Sequence, residues 1–189
     1  MGTGHYLCGI MLLHLIRHTS VGVPQGTCYG WTDVPVSETF NAEAAGLRRR
    51  LEGLTFTHVY SSPLSRALLL AEACGYTHPV VDDRLREMHM GDWEMRRFTD
   101  LHGPALQAYY NNYIDTPTPD GESFRQLYGR VASFLDELRH TLPADASVAL
   151  FCHGGPIICA QVYAGVAPLE RGYELMPAYA SLTTVELAG

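Results

Sequence analysis

Apolar residues in this chain fall into short dense runs, separated by longer stretches in which they recur every three or four positions. The dense runs are Leu12–Ile16, His58–Ser61, Val80–Val81, Val148–Cys152 and Leu182–Leu187, and each reads as a strand. The stretches between them read as helices. Ser37 is placed to cap one running to Leu51, with Phe40, Ala44, Leu47 and Leu51 on one face. Ser62-Pro63 has the form of an N-cap followed by proline at the first helical position. Leu64, Ala67, Leu68 and Ala71 would give that helix its buried stripe, and Gly75 would end it. A further helix is expected from about Phe98 to Tyr113, then a loop, DTPTPDGES. Ser123 to His140 reads as a helix turning Leu127, Val131, Phe134, Leu135 and Leu138 inward, and Pro156 is placed to start the last long helix. Strands alternating with helices predict an α/β layered fold around a mainly parallel sheet.

The length of 189 residues suits one domain, with no repeat, linker or low-complexity segment. Residues 1–10 have neither the basic start nor the long apolar run of a signal peptide. Met11 opens a second plausible start, so 1–10 are expected to be a disordered extension of a domain spanning 11–189. No run reaches membrane-spanning length, and the expected location is the cytoplasm.

Composition narrows the chemistry. The formal net charge of -7 argues against broad binding to nucleic acid or to an anionic membrane. All 13 basic residues are Arg, which removes Schiff-base chemistry and the Walker lysine. Cys8, Cys28, Cys74, Cys152 and Cys159 are odd in number and irregular in spacing, so a reducing compartment is expected rather than a disulfide framework. No Cys has Arg six positions later, so the cysteine-phosphatase loop is absent. Metal-ligand spacings such as His-Glu-x-x-His or Cys-x-x-Cys are absent too, and no metal is expected.

Three junctions place costly polar groups where a strand passes into a following segment. They are Ile16-Arg17-His18-Thr19, Ser61-Ser62-Pro63-Leu64-Ser65-Arg66 and Phe151-Cys152-His153-Gly154-Gly155-Pro156. Ligands of open α/β sheets bind at such C-terminal strand ends, beside helix N-termini. Taken singly, each His reads as a structural residue, Arg17 as a surface residue and Arg66 as half of an ion pair on its helix. Together they suit a phosphoryl dianion. His5, His58, His78, His102 and His140 read as structural or exposed, and His14 is open to either reading.

The ordered set LIRHT, SSPLSRA, LREM, GDWE and FCHGGPI resembles the histidine phosphatase superfamily, over nearly the whole chain from Leu12 onward. The stretch RHTSVGVPQGTCYGWTDVPVS, with GDWEM and DGESF, is most similar to the α-ribazole phosphatases of cobalamin synthesis. The resemblance implies a three-layer α/β/α sandwich of the phosphoglycerate-mutase-like kind and a small-molecule phosphate ester as substrate. It implies His18 as nucleophile, and Arg17, Arg66, His153 and the Gly154 N–H as phosphate ligands. It implies Glu87 as general acid and base, and no metal or other cofactor. Glu87 also has a plain ion-pair reading, with Arg84 or Arg86. Asp92 and Glu94 are weaker candidates for the acid, Glu94 reading as a structural hydrogen-bonding residue. Trp93 reads as packing, while Tyr29 and Trp31 either pack or face a ring-bearing substrate. Thr19 stands where much of the superfamily has Gly, and the usual Glu-Thr and downstream Asn are missing, which speaks against a mutase more than against a phosphatase. A phosphoglycerate mutase and a catalytically silent phospho-ligand binder are the alternatives, and nothing in the sequence fixes an oligomeric state.

Overall fold

The computed structural model describes residues 9–188. Five strands, β1 (Ile10–Arg17), β2 (His58–Ser61), β3 (Val80–Val81), β4 (Ser147–Cys152) and β5 (Leu182–Ala188), form one sheet in the order β3-β2-β4-β1-β5. Neighbours run parallel except β5, which lies antiparallel to β1. Both faces are covered, which is why the central strands are continuous apolar runs rather than alternating ones. Leu13, Leu15, Val148, Leu150 and Cys152 face one core, where α4 (Phe124–Thr141) and α5 (Gly154–Tyr163) pack. Ile16, Ala149 and Phe151 face the other, built with α1 (Phe40–Leu51) and α2 (Ser65–Ala73). Full burial of each Leu, Val, Ile or Phe side chain among them is worth roughly 1.5–3 kcal/mol, which sets the register firmly. The result is the expected three-layer α/β/α sandwich.

The chain leaves β1 toward the α1–α2 face and leaves β4 toward the α4–α5 face. These two strands are neighbours, and Arg17 pairs with Cys152 in register. A crevice therefore opens at their C-terminal ends, as it does wherever a doubly wound sheet reverses direction.

Several boundaries differ from expectation, each for a local reason. β1 begins at Ile10, inside the stretch expected to be an extension, while residues 1–8 lie outside the described residues. α1 starts at Phe40 rather than after Ser37, whose hydroxyl is engaged with Thr39 Oγ1 at 2.6 Å. α2 starts at Ser65 rather than at Pro63, because Asp33 accepts from both the Ser65 N–H (3.0 Å) and its hydroxyl (2.9 Å) and so caps the helix from another segment. The stripe of α2 includes Leu70, buried, in place of Leu68, which is half-buried. The helix expected over 98–113 is broken into a single turn (Phe98–Asp100) and α3 (Pro104–Asn111), because Gly103 takes a left-handed φ of 96° and Pro104 restarts the helix. α5 starts at Gly154, two residues before Pro156, which sits in the first turn where its missing N–H is not required. α4 begins as expected at Ser123, which forms a full capping box with Gln126.

Candidate active site

Backbone bonds lock the three strand ends to each other. The His18 N–H donates to the Cys152 carbonyl at 3.1 Å, and the Ser62 N–H to the Phe151 carbonyl at 2.9 Å. The following side chains are thereby held at one place, regardless of their separation in sequence.

His18 and His153 are buried, 1% and 0% exposed, with ring centroids 5.1 Å apart. His18 Nδ1 lies 2.7 Å from the Thr19 carbonyl. A carbonyl only accepts, so Nδ1 carries the ring proton and Nε2 keeps its lone pair. Burial, then the charge of Arg66 and, after a smaller opposing effect from the Thr19 carbonyl, that of Arg17, push the His18 pKa down to about 3. Burial and the neighbouring charges hold His153 well below its usual value as well. Both rings are neutral at physiological pH.

Arg66 is wholly buried. It donates to the carbonyls of Gly30 (2.7 Å) and Thr32 (3.1 Å), and the Asp33 carboxylate lies 3.8 Å away. It makes no ion pair along its own helix. Arg17 lies under the ring of Tyr179, 4.1 Å from the centroid, and donates to the Pro177 carbonyl. Gly154 opens α5, where an N–H has no intrahelical acceptor, and a Cβ there would come 3.5 Å from the Arg17 guanidinium carbon. Arg17 Nε, Arg66 Nε and His153 Nδ1 are buried with no hydrogen-bond partner among the described residues. Unpartnered buried polar groups are uncommon, and a cluster of them beside a helix N-terminus and two guanidinium groups suits an anion.

Glu87 reaches the same place from the segment after β3. Its carboxylate accepts from the Gly155 N–H (3.1 and 3.3 Å) and from the Met88 N–H (2.8 Å). Its own carbonyl accepts from Trp31 Nε1 and from Arg130, both at 2.8 Å. Arg130 also donates to the Arg84 and Arg86 carbonyls and pairs with Glu122, so it clamps this whole segment against α4. The ion-pair reading of Glu87 does not hold: Arg84 binds Asp82 and Glu137, and Arg86 binds Asp83. A Cβ at Gly155 would stand 2.3 Å from Glu87 Oε1, so a larger residue there would displace the carboxylate.

A cavity of about 580 Å³ opens beside Arg17 and Glu87. Its walls are mostly apolar, with Val21, Val23, Pro24, Met90, Phe98 and Met176, joined by the rings of Tyr29 and Tyr179. Arg17 and Glu87 are the charged residues among those lining it.

All six positions expected from sequence, Arg17, His18, Arg66, Glu87, His153 and Gly154, converge here. Glu94 is structural, its carboxylate accepting from the N–H groups of Trp31, Thr32 and Met90. Asp92 is exposed, and Trp93 packs with Cys28 and Leu101. Tyr29 lines the cavity, whereas Trp31 faces a second pocket on the outer side with Arg86 and Arg130. His14 is buried and bonded to Thr184 and Ser147, a structural role. Sequence reading missed Tyr179, Gly155 and Arg130, and it gave Ser62 a capping role. In the fold Ser62 Oγ lies 2.7 Å from His153 Nε2. No group of three or more His, Cys, Asp or Glu among the described residues is placed to hold a metal ion. No helix among them is long and apolar enough to cross a membrane.

Residues 13–189 match the sequence profile of the histidine phosphatase superfamily (branch 1). A curated relative from Escherichia coli, named "Probable phosphoglycerate mutase GpmB", is 30% identical over 158 residues, covering 79% of this chain and 73% of its own. A mycobacterial glucosyl-3-phosphoglycerate phosphatase superposes with a TM-score of 0.83 at 25% identity, covering 94% of this chain and 90% of that one. An Escherichia coli protein described as "a putative alpha-ribazole-5'-P phosphatase" has the same fold, with a TM-score of 0.83 at 24% identity over 93% of this chain and 90% of that one.

The two buried imidazoles make a prediction about stability. Their pKa values are lowered in the folded state, so below a pH of ~6.5 the unfolded chain binds protons that the native one does not. Their contribution is complete above that pH and is lost as the pH falls toward the folded value, about 3 for His18. Each ring should steepen the fall by up to about 1.4 kcal/mol per pH unit. Urea midpoints measured from pH 7 to pH 4.5 should therefore drop more steeply for the wild type than for His153→Gln. Parallel curves would mean that His153 titrates normally in the fold.

Proposed function

The chain belongs to the histidine phosphatase superfamily, and from that premise we propose that this phosphatase hydrolyses phosphate monoesters through a phosphohistidine at His18, without a metal. The observation that carries the reading is the pairing of a neutral His18, its Nε2 lone pair free, with unpartnered buried nitrogens of Arg17, Arg66 and His153. The lone pair attacks phosphorus as the ester P–O bond breaks. The two guanidinium groups, His153 and the Gly154 N–H bind the non-bridging oxygens and stabilise charge in the transition state. Glu87, a carboxylate in the free enzyme, takes up a proton on substrate binding and gives it to the departing alkoxide. As a carboxylate it then takes a proton from water, whose oxygen bonds to phosphorus as the Nε2–P bond breaks. Phosphate leaves and His18 is restored.

The substrate we propose is α-ribazole 5′-phosphate, in cobalamin synthesis in the cytoplasm. The first loop resembles that of the α-ribazole phosphatases, and the cavity favours the same choice. Its volume of about 580 Å³ suits a small organic group, and its apolar and aromatic walls suit a neutral ring system. A phosphoglycerate would bring a second anion into a cavity whose one cation, Arg17, is committed to the phosphate and whose other charge is Glu87.

A panel of α-ribazole 5′-phosphate, glucosyl-3-phosphoglycerate and 3-phosphoglycerate, the last with and without a bisphosphate primer, tests this. We expect kcat/KM for the ribazole ester to exceed the others by about tenfold or more, a difference of ~1.4 kcal/mol in transition-state binding. Dialysis against a chelator should leave that activity intact. Primer-dependent isomerisation of phosphoglycerate as the fastest reaction would establish the mutase reading instead.

The role of Glu87 is separable by leaving group. A sugar or ribazole alkoxide is strongly basic and needs a proton, whereas p-nitrophenolate leaves almost unaided. Glu87→Gln should slow single-turnover phosphoryl transfer from an alkyl phosphate by about 10²–10⁴-fold, and from p-nitrophenyl phosphate far less. Equal losses for the two would make Glu87 structural.

A further inference from the structure

We infer that Ser62 fixes the tautomer of His153, so that the two site histidines hold opposite proton arrangements while both remain neutral. Ser62 and His153 are each 0% exposed, so their hydrogen bonds must be made within the protein. Ser62 Oγ has two neighbours, His153 Nε2 at 2.7 Å and the Leu64 N–H at 3.3 Å. The Leu64 N–H can only donate, so it takes one lone pair of the hydroxyl. The single hydroxyl proton must then go to His153 Nε2 or to nothing. If Nε2 itself were the donor, a buried O–H would have no acceptor among the described residues, at the full desolvation cost of an unmade bond. With Ser62 donating, each of these three groups is satisfied and the ring proton of His153 sits on Nδ1.

Nδ1 is also the atom of that ring with no partner in the fold. An N–H is therefore left available beside His18, whose ring lies 5.1 Å away. His18 has the complementary arrangement, because its own partner is a carbonyl at Nδ1. The Thr19 carbonyl turns one imidazole into a nucleophile at Nε2, and the Ser62 hydroxyl turns the other into a hydrogen-bond donor at Nδ1. Neither ring need be charged, which matters beside Arg17 and Arg66, where a further cation would be repelled. Ser62 is thus a positioning residue: it acts on the phosphoryl oxygens through His153. This consequence rests on the phosphatase mechanism proposed above, whereas the tautomer itself does not.

Nitrogen-15 labelling of the histidines and two-bond proton–nitrogen correlation spectra of the free enzyme test the inference directly. The His153 signals are identified by their loss in His153→Gln. In the wild type, Nδ1 of His153 should give the protonated shift and Nε2 the unprotonated one. In Ser62→Ala that pattern should average or invert, and single-turnover phosphorylation should slow by about 10–10²-fold, short of the ~10²–10³ that follows removal of a transition-state donor outright. Ser62→Thr, which keeps the hydroxyl, should restore both. A wild-type spectrum with the proton on His153 Nε2 overturns the inference whatever the activity, and it is decisive even if Ser62→Ala fails to fold. Loss of the phosphatase reading alone, with no phosphoryl group found on His18, would leave the spectrum to decide the role of Ser62.

Discussion

Arg66 is a cation withdrawn completely from water, and the arrangement of the site follows from what that requires. Burial of a charge is severely unfavourable unless hydrogen bonds and opposite charges surround it. The carbonyls of Gly30 and Thr32 supply the bonds, and Glu87 leads the charges that oppose the effect of burial. Meeting those demands folds the loop after β1 back over the start of α2. Asp33 then caps that helix, and Glu94 holds the loop through the N–H groups of Trp31 and Thr32. The chain passes so close to the Met88 carbonyl that a Cβ at Gly30 would stand 1.9 Å from it. Arg66 thereby ties the loop to α2, and Gly30 and Glu94 hold the loop against the Glu87 segment.

The same cation sets the chemistry of the histidines. Its field adds to burial in keeping His18 and His153 uncharged, so His18 Nε2 presents a lone pair rather than a proton. The surrounding donors are fixed before any ligand arrives, which is the form of electrostatic assistance that requires little reorganisation during reaction. Arg130 extends this rigidity outward. It bonds three carbonyl groups of the Glu87 segment, at Arg84, Arg86 and Glu87, and pairs with Glu122. The acid is therefore held by its main chain from α4 and by its carboxylate from Gly155 on α5.

Much of this was legible in the sequence because burial on both faces of a sheet leaves an unmistakable apolar run. β2 and β3 agree with expectation to the residue, and β4 differs by one residue. Polar groups at the ends of β1, β2 and β4 stood out for the complementary reason, that such burial has no structural rationale. Helix starts were less legible. Ser37 and Ser62 have the chemistry of caps, yet their hydroxyls serve Thr39 and His153, and α2 takes its cap from Asp33 instead. Arg130 reads as one more charge on a helix, because nothing local marks the carbonyls it binds more than forty positions away. Tyr179 lay in a segment without periodicity, and only the close approach of β5 to β1 brings it over Arg17.

The central claim is that a neutral, buried His18 receives the phosphoryl group. Rapid quenching of the enzyme during turnover of a radiolabelled phosphate ester, followed by peptide mapping, tests it most directly. The account predicts acid-labile, base-stable label on the peptide containing His18, appearing no more slowly than product and absent from His18→Ala. Label on a serine, aspartate or cysteine, or turnover with no labelled protein in a burst-resolved experiment, would contradict it.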